Sequence, residues 1–527
     1  MGVSDGGGGE ETGPWWKSAV VYQIYPRSFL DTDGDGVGDL DGIRRRLDHL
    51  EWLGVDTIWL SPIFRSPMAD FGYDVSDYCD VDPVFGTLDD FDRLLAEAHA
   101  RGIRVLLDWV PNHSSDQHPC FVESRSSRSS PKRDWYIWRD GPAPGTPPNN
   151  WRAAFRHDEP AWTWDEATQQ WYLHLFLPEQ PDLNWANPEV VAAMHDTLRF
   201  WLDRGVDGFR ADVIHGIGKD PALPDDTELA GIPRSGTNDD PRTHVLLRDL
   251  RRLLDSYDGD RMMVGEVYLL DTKLVAQYYG AGDELHLAFN FPPLYLPWRA
   301  AFWRKAIELC EDVIVPVGWP TWVLSNHDNV RHRTRYGSQA RARAAAVLLL
   351  TLRGTPFLYA GEELGLEDAE VPASRVVDPG GRDGCRAPIP WDASPAHGWA
   401  ESPDGPWLPW PPSPETVNLA SERDDPSSMV WLYRRLLTAR RASPALSVGD
   451  FRFVHEEQTD AALAYERSSP SGGDRRVVVV NMDAPPVTVA LDGEWTVEVA
   501  SDGAGEGAPF TGTVPGDVAV VLRPGTP

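Results

Sequence analysis

Short apolar runs alternate with amphipathic stretches through the first two-thirds of the chain. VVYQIYPRSF (20–29) reads as a strand. Residues 40–53 then put Leu40, Ile43, Leu47, Leu50 and Leu53 on one helical face, with Gly54 as the stop. TIWLSPIF (57–64) is a second strand. Thr87 caps a helix that buries Phe91, Leu94, Leu95 and Ala98 and ends at Gly102. IRVLLDWV (103–110) is a third strand. The alternation lapses from His113 to about Asn184, a stretch rich in Ser, Pro, Asn and Trp and too long for a simple loop. It resumes where Asn187 and Pro188, a cap and an N1 proline, open a helix to about Asp203. Strands follow at 206–213, 262–268, 286–291, 322–328 and 357–361.

Eight strands with helical patterns between them predict an α/β fold, a (β/α)8 TIM barrel with an inserted subdomain after strand 3. Residues 365–418 are irregular, and 427–441 read as the closing helix. From about Gly449 short strands separated by Gly, Pro and Asp turns predict a C-terminal all-β sandwich. The expected limits are a flexible tail at 1–14, the barrel at 15–112 and 185–445, the insertion (subdomain B) at 113–184 and the β-sandwich at 446–527.

Composition narrows the function. The chain of 527 residues carries 49 basic and 81 acidic side chains, a net charge of −32. That disfavours nucleic acid and anionic membranes, whose binding needs clustered Lys and Arg. No stretch reaches the roughly 18 apolar residues of a membrane helix, and the N-terminus lacks the pattern of a signal peptide. Cys79, Cys120, Cys310 and Cys385 are scattered without metal-binding spacing, which suits a reducing cytoplasm. The 23 Trp residues are unusual, and exposed aromatics make platforms for the flat faces of sugars.

In such a barrel, chemistry sits where strands end. Asp108 ends strand three, with Asn112 and His113 beyond it. Arg210 and Asp212 share one face near the end of strand four. Glu266 ends strand five, His327 and Asp328 end strand seven, and Asp74 follows strand two in FGYDVSDY. Carboxylates converging on one rim raise one another's pKa, a cost few structural purposes require. Glycoside hydrolysis requires it, with one carboxyl as proton donor and another as nucleophile or base.

DWVPNH (108–113), GFRADVIH (208–215), GEVY (265–268) and SNHD (325–328) resemble, in order, four motifs of the α-amylase superfamily, glycoside hydrolase family 13. QPDLNW (180–185) and the opening AVVYQIYPRSFLDTDGDGVGDLDGI resemble its oligo-1,6-glucosidase and α-glucosidase group. The resemblance implies Asp212 as nucleophile, Glu266 as acid/base and Asp328 as a binder of substrate hydroxyls. It implies Arg210 as the partner that keeps Asp212 ionised. His113 and His327 would donate to the −1 glucose, Tyr73 would be a sugar platform, and Asp74 with Arg382 would hold the outer hydroxyls and close the pocket. The expected activity is that of a retaining exo-acting α-glucosidase on short oligosaccharides. Its two carboxyls should stand about 5–5.5 Å apart. Val213, after the nucleophile, resembles α-1,6-acting enzymes, but a β-branched strand filler reads equally well, so the linkage stays open. Transglucosylation of the trehalose or sucrose type shares the same intermediate. A non-catalytic relative is disfavoured because all three carboxylates are present, and an endo-acting amylase because the Asp74 and Arg382 pair implies a closed pocket. Oligomeric state is not readable.

DTDGDGVGDLDGI (31–43) matches an EF-hand loop at Asp31, Asp33, Asp35 and Asp39, with Gly36 at the sharp turn and the Val37 carbonyl as a further donor. Gly42 stands where a sensor needs Glu, and a barrel strand precedes the loop instead of a helix. The resemblance implies a structural Ca²⁺ or Mg²⁺ there, and no organic cofactor.

Overall fold

The computed structural model describes residues 13–155, 158–227, 236–454 and 460–525. Most of the expected tail lies outside them. Eight short parallel strands form the central sheet: β1 (Val21–Ile24), β2 (Thr57–Leu60), β3 (Arg104–Trp109), β4 (Gly208–Ala211), β5 (Met262–Gly265), β6 (Leu287–Ala288), β7 (Thr321–Val323) and β8 (Thr355–Tyr359). Their order is 6-5-4-3-2-1-8-7, and the pairing of β1 with β8 wraps the sheet round. Between β6 and β7 a side chain takes the place of the ladder: the Thr321 hydroxyl donates to the Ala288 carbonyl (2.9 Å) and accepts from the Asn290 amide (3.3 Å).

Strand period sets the interior. Val21, Trp59, Leu106, Met262, Val264, Leu287, Val323 and Phe357 form one buried cluster inside the barrel. Gly208 joins that layer because a Cβ there would meet the Met262 carbonyl at 2.2 Å. The intervening residues face outward into a larger core shared with the helices. Two residues further along the strands the inward positions turn polar, as Gln23, Asp108 and Arg210.

Local signals shape the helices. Thr87 and Asp90 form a reciprocal capping box on Leu88–Ala100, and Asn187 caps Pro188–Asp203. The single helix expected over 40–53 is two, Leu40–Arg45 and Leu47–Leu53, broken at Arg46, and Gly54 ends the second in the left-handed conformation. The expected strand at 286–291 shrinks to two residues because the chain turns at Phe291 and Pro292.

The insertion after β3 carries a three-stranded antiparallel sheet, Trp138–Arg139, Gln170–Leu173 and Trp162–Asp165. The C-terminal part is a five-stranded antiparallel sheet: β9 (Asp450–Phe453), β10 (Ala462–Ser468), β11 (Arg475–Asn481), β12 (Trp495–Ala500) and β13 (Ala519–Pro524). A two-stranded sheet, Val487–Thr488 paired with Thr513–Val514, covers one face, where Val477, Val479, Val497 and Val514 share a core. The opposite face of the five-stranded sheet, with Leu463, Tyr465, Val478, Val480 and Val521, joins the main core. The expected sandwich is therefore buried on both sides, which is why four valines run consecutively at 477–480.

Candidate active site

Inward-facing residues of neighbouring strands lie level with one another. Asp108 on β3 is paired in register with Arg210 on β4, and Arg210 with Val264 on β5. One step further along, Asp212 and Glu266 leave the ends of β4 and β5. Arg210 links the three carboxyls: one terminal nitrogen donates to Asp108 (2.8 Å) and Asp212 (2.7 Å), the other to Glu266 (2.7 Å). Trp59 lies under the guanidinium, 5.3 Å away, and its indole N–H reaches Asp108 (3.2 Å). Burial opposes the charge on Arg210, but Asp108 and Glu266 hold its pKa well above the usual value. Burial pushes Asp108 up to about 6 against the pull of Arg210. Burial also pushes Asp212 well up; Arg210 opposes this, and the nearby Glu266 and Asp108 charges add to it.

Val213 follows with φ 44° and ψ 35°, a left-handed conformation that is rare for a β-branched residue. That turn aims its amide at Glu266 Oε2 (3.0 Å). The same carboxyl is thus fixed by a guanidinium and a strained backbone N–H.

Asp328 faces this group across the pocket. Arg382 (2.8 Å) and Arg386 (3.2 Å) both donate to its Oδ1. Burial works against its charge, but the two permanent charges of Arg382 and Arg386 outweigh it and hold the carboxyl far below the ordinary range. Arg386 is fully buried and also donates to the His327 carbonyl (2.7 Å). Asp378 accepts from both arginines, at 2.7 Å and 3.1 Å.

One expected pairing changes partner. Arg382 reaches Asp70 Oδ1 (2.6 Å), not Asp74. Asp74 is fully buried and turned into its own loop, where it accepts from the Ser66 hydroxyl (2.8 Å) and the amides of Ala69 (2.9 Å) and Asp70 (3.0 Å). Its oxygens hold the loop in shape, and burial pushes its pKa up to about 6. The turn at Phe71 and Gly72 separates the two acids, so the one nearer strand two enters the pocket.

Tyr73 lines the pocket, and its hydroxyl sits between Asp108 (3.1 Å) and His327 Nε2 (2.6 Å). Its ring stacks on that of His327, 5.5 Å between centroids. His327 is also bonded through Nδ1 to Gln23 (2.7 Å), so both ring nitrogens have protein partners. Burial pushes its pKa down to about 3. His113 lines the pocket, with Gln180 at Nε2 (3.1 Å) and Asn112 at Nδ1 (3.1 Å); burial lowers it to about 4. Both rings are neutral at physiological pH.

These groups surround a cavity of about 350 Å³ that includes Asp70, Asp212, Glu266, Asp328 and Arg382. Five aromatic residues form much of its outer wall, Phe155 and Phe176 from the insertion and Tyr268, Phe291 and Tyr295 from the loops after β5 and β6, beside polar residues such as Asn238, Asn326 and Asn329. Sequence reasoning missed all five, and also Asp70, Asp378 and Arg386. Asp70 had one signal, the turn-forming Gly72 close by. Tyr268 ends the GEVY motif and Phe291 ends an expected strand, which were signals not used; Phe155, Phe176 and Tyr295 had none, because they come from irregular segments.

The acidic loop fits a hard cation. Asp31, Asp33 and Asp39 bring carboxylate oxygens within 4.8 Å of one another. Asp31 accepts the amides of Asp33 (2.9 Å), Gly34 (2.7 Å) and Gly36 (2.8 Å), which wraps the backbone around the carboxyls. Asp35 stands outside this set of three and accepts the Val37 amide (2.7 Å). Asp39 also caps the helix Leu40–Arg45 through Gly42 (2.7 Å). An all-oxygen donor set of this kind suits Ca²⁺ or Mg²⁺.

The α-amylase catalytic domain matches residues 23–449. A probable alpha-glucosidase of Rhizobium meliloti (strain 1021) is 43% identical over 515 residues, which cover 90% of this chain and 91% of that protein. An oligo-1,6-glucosidase of Parageobacillus thermoglucosidasius is 38% identical over 521 residues, 89% of this chain and 90% of its own. Among solved structures, the alpha-glucosyl transfer enzyme XgtA superposes with a TM-score of 0.89 at 41% identity, over 98% of this chain and 100% of that one. The trehalulose synthase MutB of Pseudomonas mesoacidophila MX-45 gives 0.89 at 35% identity, over 97% and 99%.

Proposed function

The chain belongs to the α-amylase family, and from that premise we propose a retaining, exo-acting α-glucosidase that removes the terminal glucose from the non-reducing end of short oligosaccharides. Asp212 is the nucleophile. Its carboxylate attacks the anomeric carbon while Glu266 gives its proton to the glycosidic oxygen. The C–O bond breaks, the aglycone leaves with that proton, and a covalent β-glucosyl ester remains. Water then attacks the same carbon, Glu266 takes its proton, and Asp212 departs as a carboxylate.

The observation that carries this reading is Arg210, bonded at 2.7 Å to both Asp212 and Glu266. It fixes their mutual orientation and favours an anionic nucleophile. The first step begins with Asp212 as a carboxylate, which the Arg210 charge supports against burial, and with the transferable proton on Glu266. Asp328, held ionised by Arg382 and Arg386, accepts glucose hydroxyls and stabilises positive charge at the ring. Tyr73 offers a platform to the sugar, and His113 a neutral ring edge. His327 acts through Tyr73, to which it is bonded. Asp70 takes the role expected of Asp74: its ion pair with Arg382 walls off the far end, which supports cleavage of a terminal residue.

Hydrolysis of p-nitrophenyl α-glucoside followed by proton NMR should show α-glucose first. Initial β-glucose would sink the mechanism. A panel of maltose, isomaltose, sucrose and starch tests exo action, which starch as the best substrate would contradict.

Transglucosylation is the second reading. The glucosyl ester can pass to a sugar or alcohol hydroxyl in place of water. Likeness to a glucosyl transfer enzyme and a trehalulose synthase supports it. So do Tyr268 and Tyr295, which are 37% and 49% exposed at the cavity mouth, where an acceptor would sit. Glucose release with and without excess acceptor separates the two. In the acidic loop, Asp31, Asp33 and Asp39, with Asp35 and the Val37 carbonyl beside them, would hold a structural Ca²⁺ or Mg²⁺. Four free cysteines support a cytoplasmic location.

A further inference from the structure

Asp70 reaches the cavity from a loop with an unusual backbone. Phe71, the next residue, has φ 46°, and Met68 has φ 68°. A bulky aromatic residue rarely adopts this left-handed conformation, and it persists only where its surroundings impose it. Asp74 holds the backbone amides of Ala69 and Asp70, and Gln180 donates to the Asp70 carboxylate (3.2 Å), but the Phe71 side chain itself is met by two side chains from elsewhere. The Trp407 ring packs on Phe71 with centroids 5.3 Å apart. The Arg27 guanidinium lies over both rings, 5.2 Å from Phe71 and 4.8 Å from Trp407, and a terminal nitrogen contacts the Met68 sulfur at 3.9 Å. Trp407 is itself anchored. Its amide donates to the Gly36 carbonyl (2.9 Å) and its indole N–H to the Ser28 hydroxyl (3.1 Å). Trp407, Arg27 and Phe71 are all absent from the cavity wall.

We propose that Arg27 and Trp407 form a clamp that holds Phe71 in its left-handed conformation and so aims Asp70 at the substrate. Trp407 is then a positioning residue for a subsite it does not touch. This rests on the glucosidase reading for the role of Asp70 in binding glucose. Without the clamp, Phe71 relaxes toward negative φ and the Asp70 carboxylate leaves Arg382. Only the fraction of molecules still in the strained form binds substrate well, and the apparent affinity falls by that fraction.

The test is steady-state kinetics with p-nitrophenyl α-glucoside. Trp407→Leu should raise KM about tenfold with kcat within about twofold, the pattern of lost uniform binding. Phe71→Asn should stay near the wild-type KM, because asparagine enters the left-handed region unaided. Adding Trp407→Leu to Phe71→Asn should then change KM by less than about twofold. A merely structural Trp407 would impair both backgrounds alike. If Trp407→Leu does not fold, Arg27→Gln carries the same comparison from the other jaw. An unchanged KM in the folded single variant, or a double variant as impaired as Trp407→Leu alone, overturns the clamp. Absence of turnover by the wild-type protein would instead overturn the glucosidase reading.

Discussion

Asp74 and Asp70 lie four residues apart and do opposite work, and pH should tell them apart. Asp74 is fully buried, with a pKa near 6 against about 3.8 when unfolded. A raised carboxyl pKa stabilises the fold fully below the unfolded value, and that contribution is lost as pH rises through the folded one. The loss here is on the order of 3 kcal/mol between pH 4 and 6. Asp74→Asn removes this dependence, so the Tm advantage of wild type over the variant should shrink from pH 4 to pH 7. A constant gap would mean that Asp74 does not titrate in the fold. Val213 is the other informative residue. It lines the cavity, and its left-handed backbone serves Glu266. If Val213 sets the linkage, as its resemblance to α-1,6-acting enzymes implies, Val213→Thr should raise kcat/KM for maltose relative to isomaltose about tenfold, within the range a single pocket contact supplies. An unchanged ratio would leave Val213 only its backbone role.

At the scale of elements, two joints should be measurable. Thr321 bridges β6 and β7 with one hydroxyl. Thr321→Val keeps the shape but leaves a buried carbonyl and a buried amide unpaired, which costs about 1–3 kcal/mol in chemical denaturation. The acidic loop joins β1 to the first helix and is tied to the 399–410 segment, where the Ala400 amide donates to the Asp31 carbonyl (3.1 Å). Chelation by EDTA should lower Tm, and Ca²⁺ or Mg²⁺ should restore it; no change would count against a bound metal. These joints also mark where the sequence stops being legible. The eight barrel strands were readable because strand period, apolar runs and glycine stops agree, and the carboxyls at their ends followed from the same pattern. The partner of Arg382 was not, because a left-handed turn at Phe71 decides which of two nearby acids faces inward, and no periodicity encodes that turn. Part of the aromatic wall was hidden for a related reason: Phe155 and Phe176 come from a loop-rich insertion, and only tertiary packing brings them to the rim.

For the whole molecule, the C-terminal sheet governs cooperativity. Val478 and Val480 on β11 point into the core shared with the barrel helices, while Val477 and Val479 point into the sandwich. Tyr465 on β10 meets Thr351, hydroxyl to hydroxyl, at 2.5 Å. Arg467, also on β10 and fully buried, donates to the carbonyls of Thr351 (2.5 Å), Leu446 (3.1 Å) and Gly449 (2.8 Å). Burial of both faces makes this sheet a wall of the catalytic core and sets it apart from a tethered module. Calorimetry should therefore show one unfolding transition, with loss of glucosidase activity on heating following the same curve. Val478→Ala should cost about 1–3 kcal/mol and move both curves together, although residue 478 lies in a different sheet from every carboxyl of the proposed site. If the variant gained a low-temperature transition that left activity intact, the C-terminal sheet would be an independent unit, and its packing on the barrel helices would contribute nothing to the stability of the site.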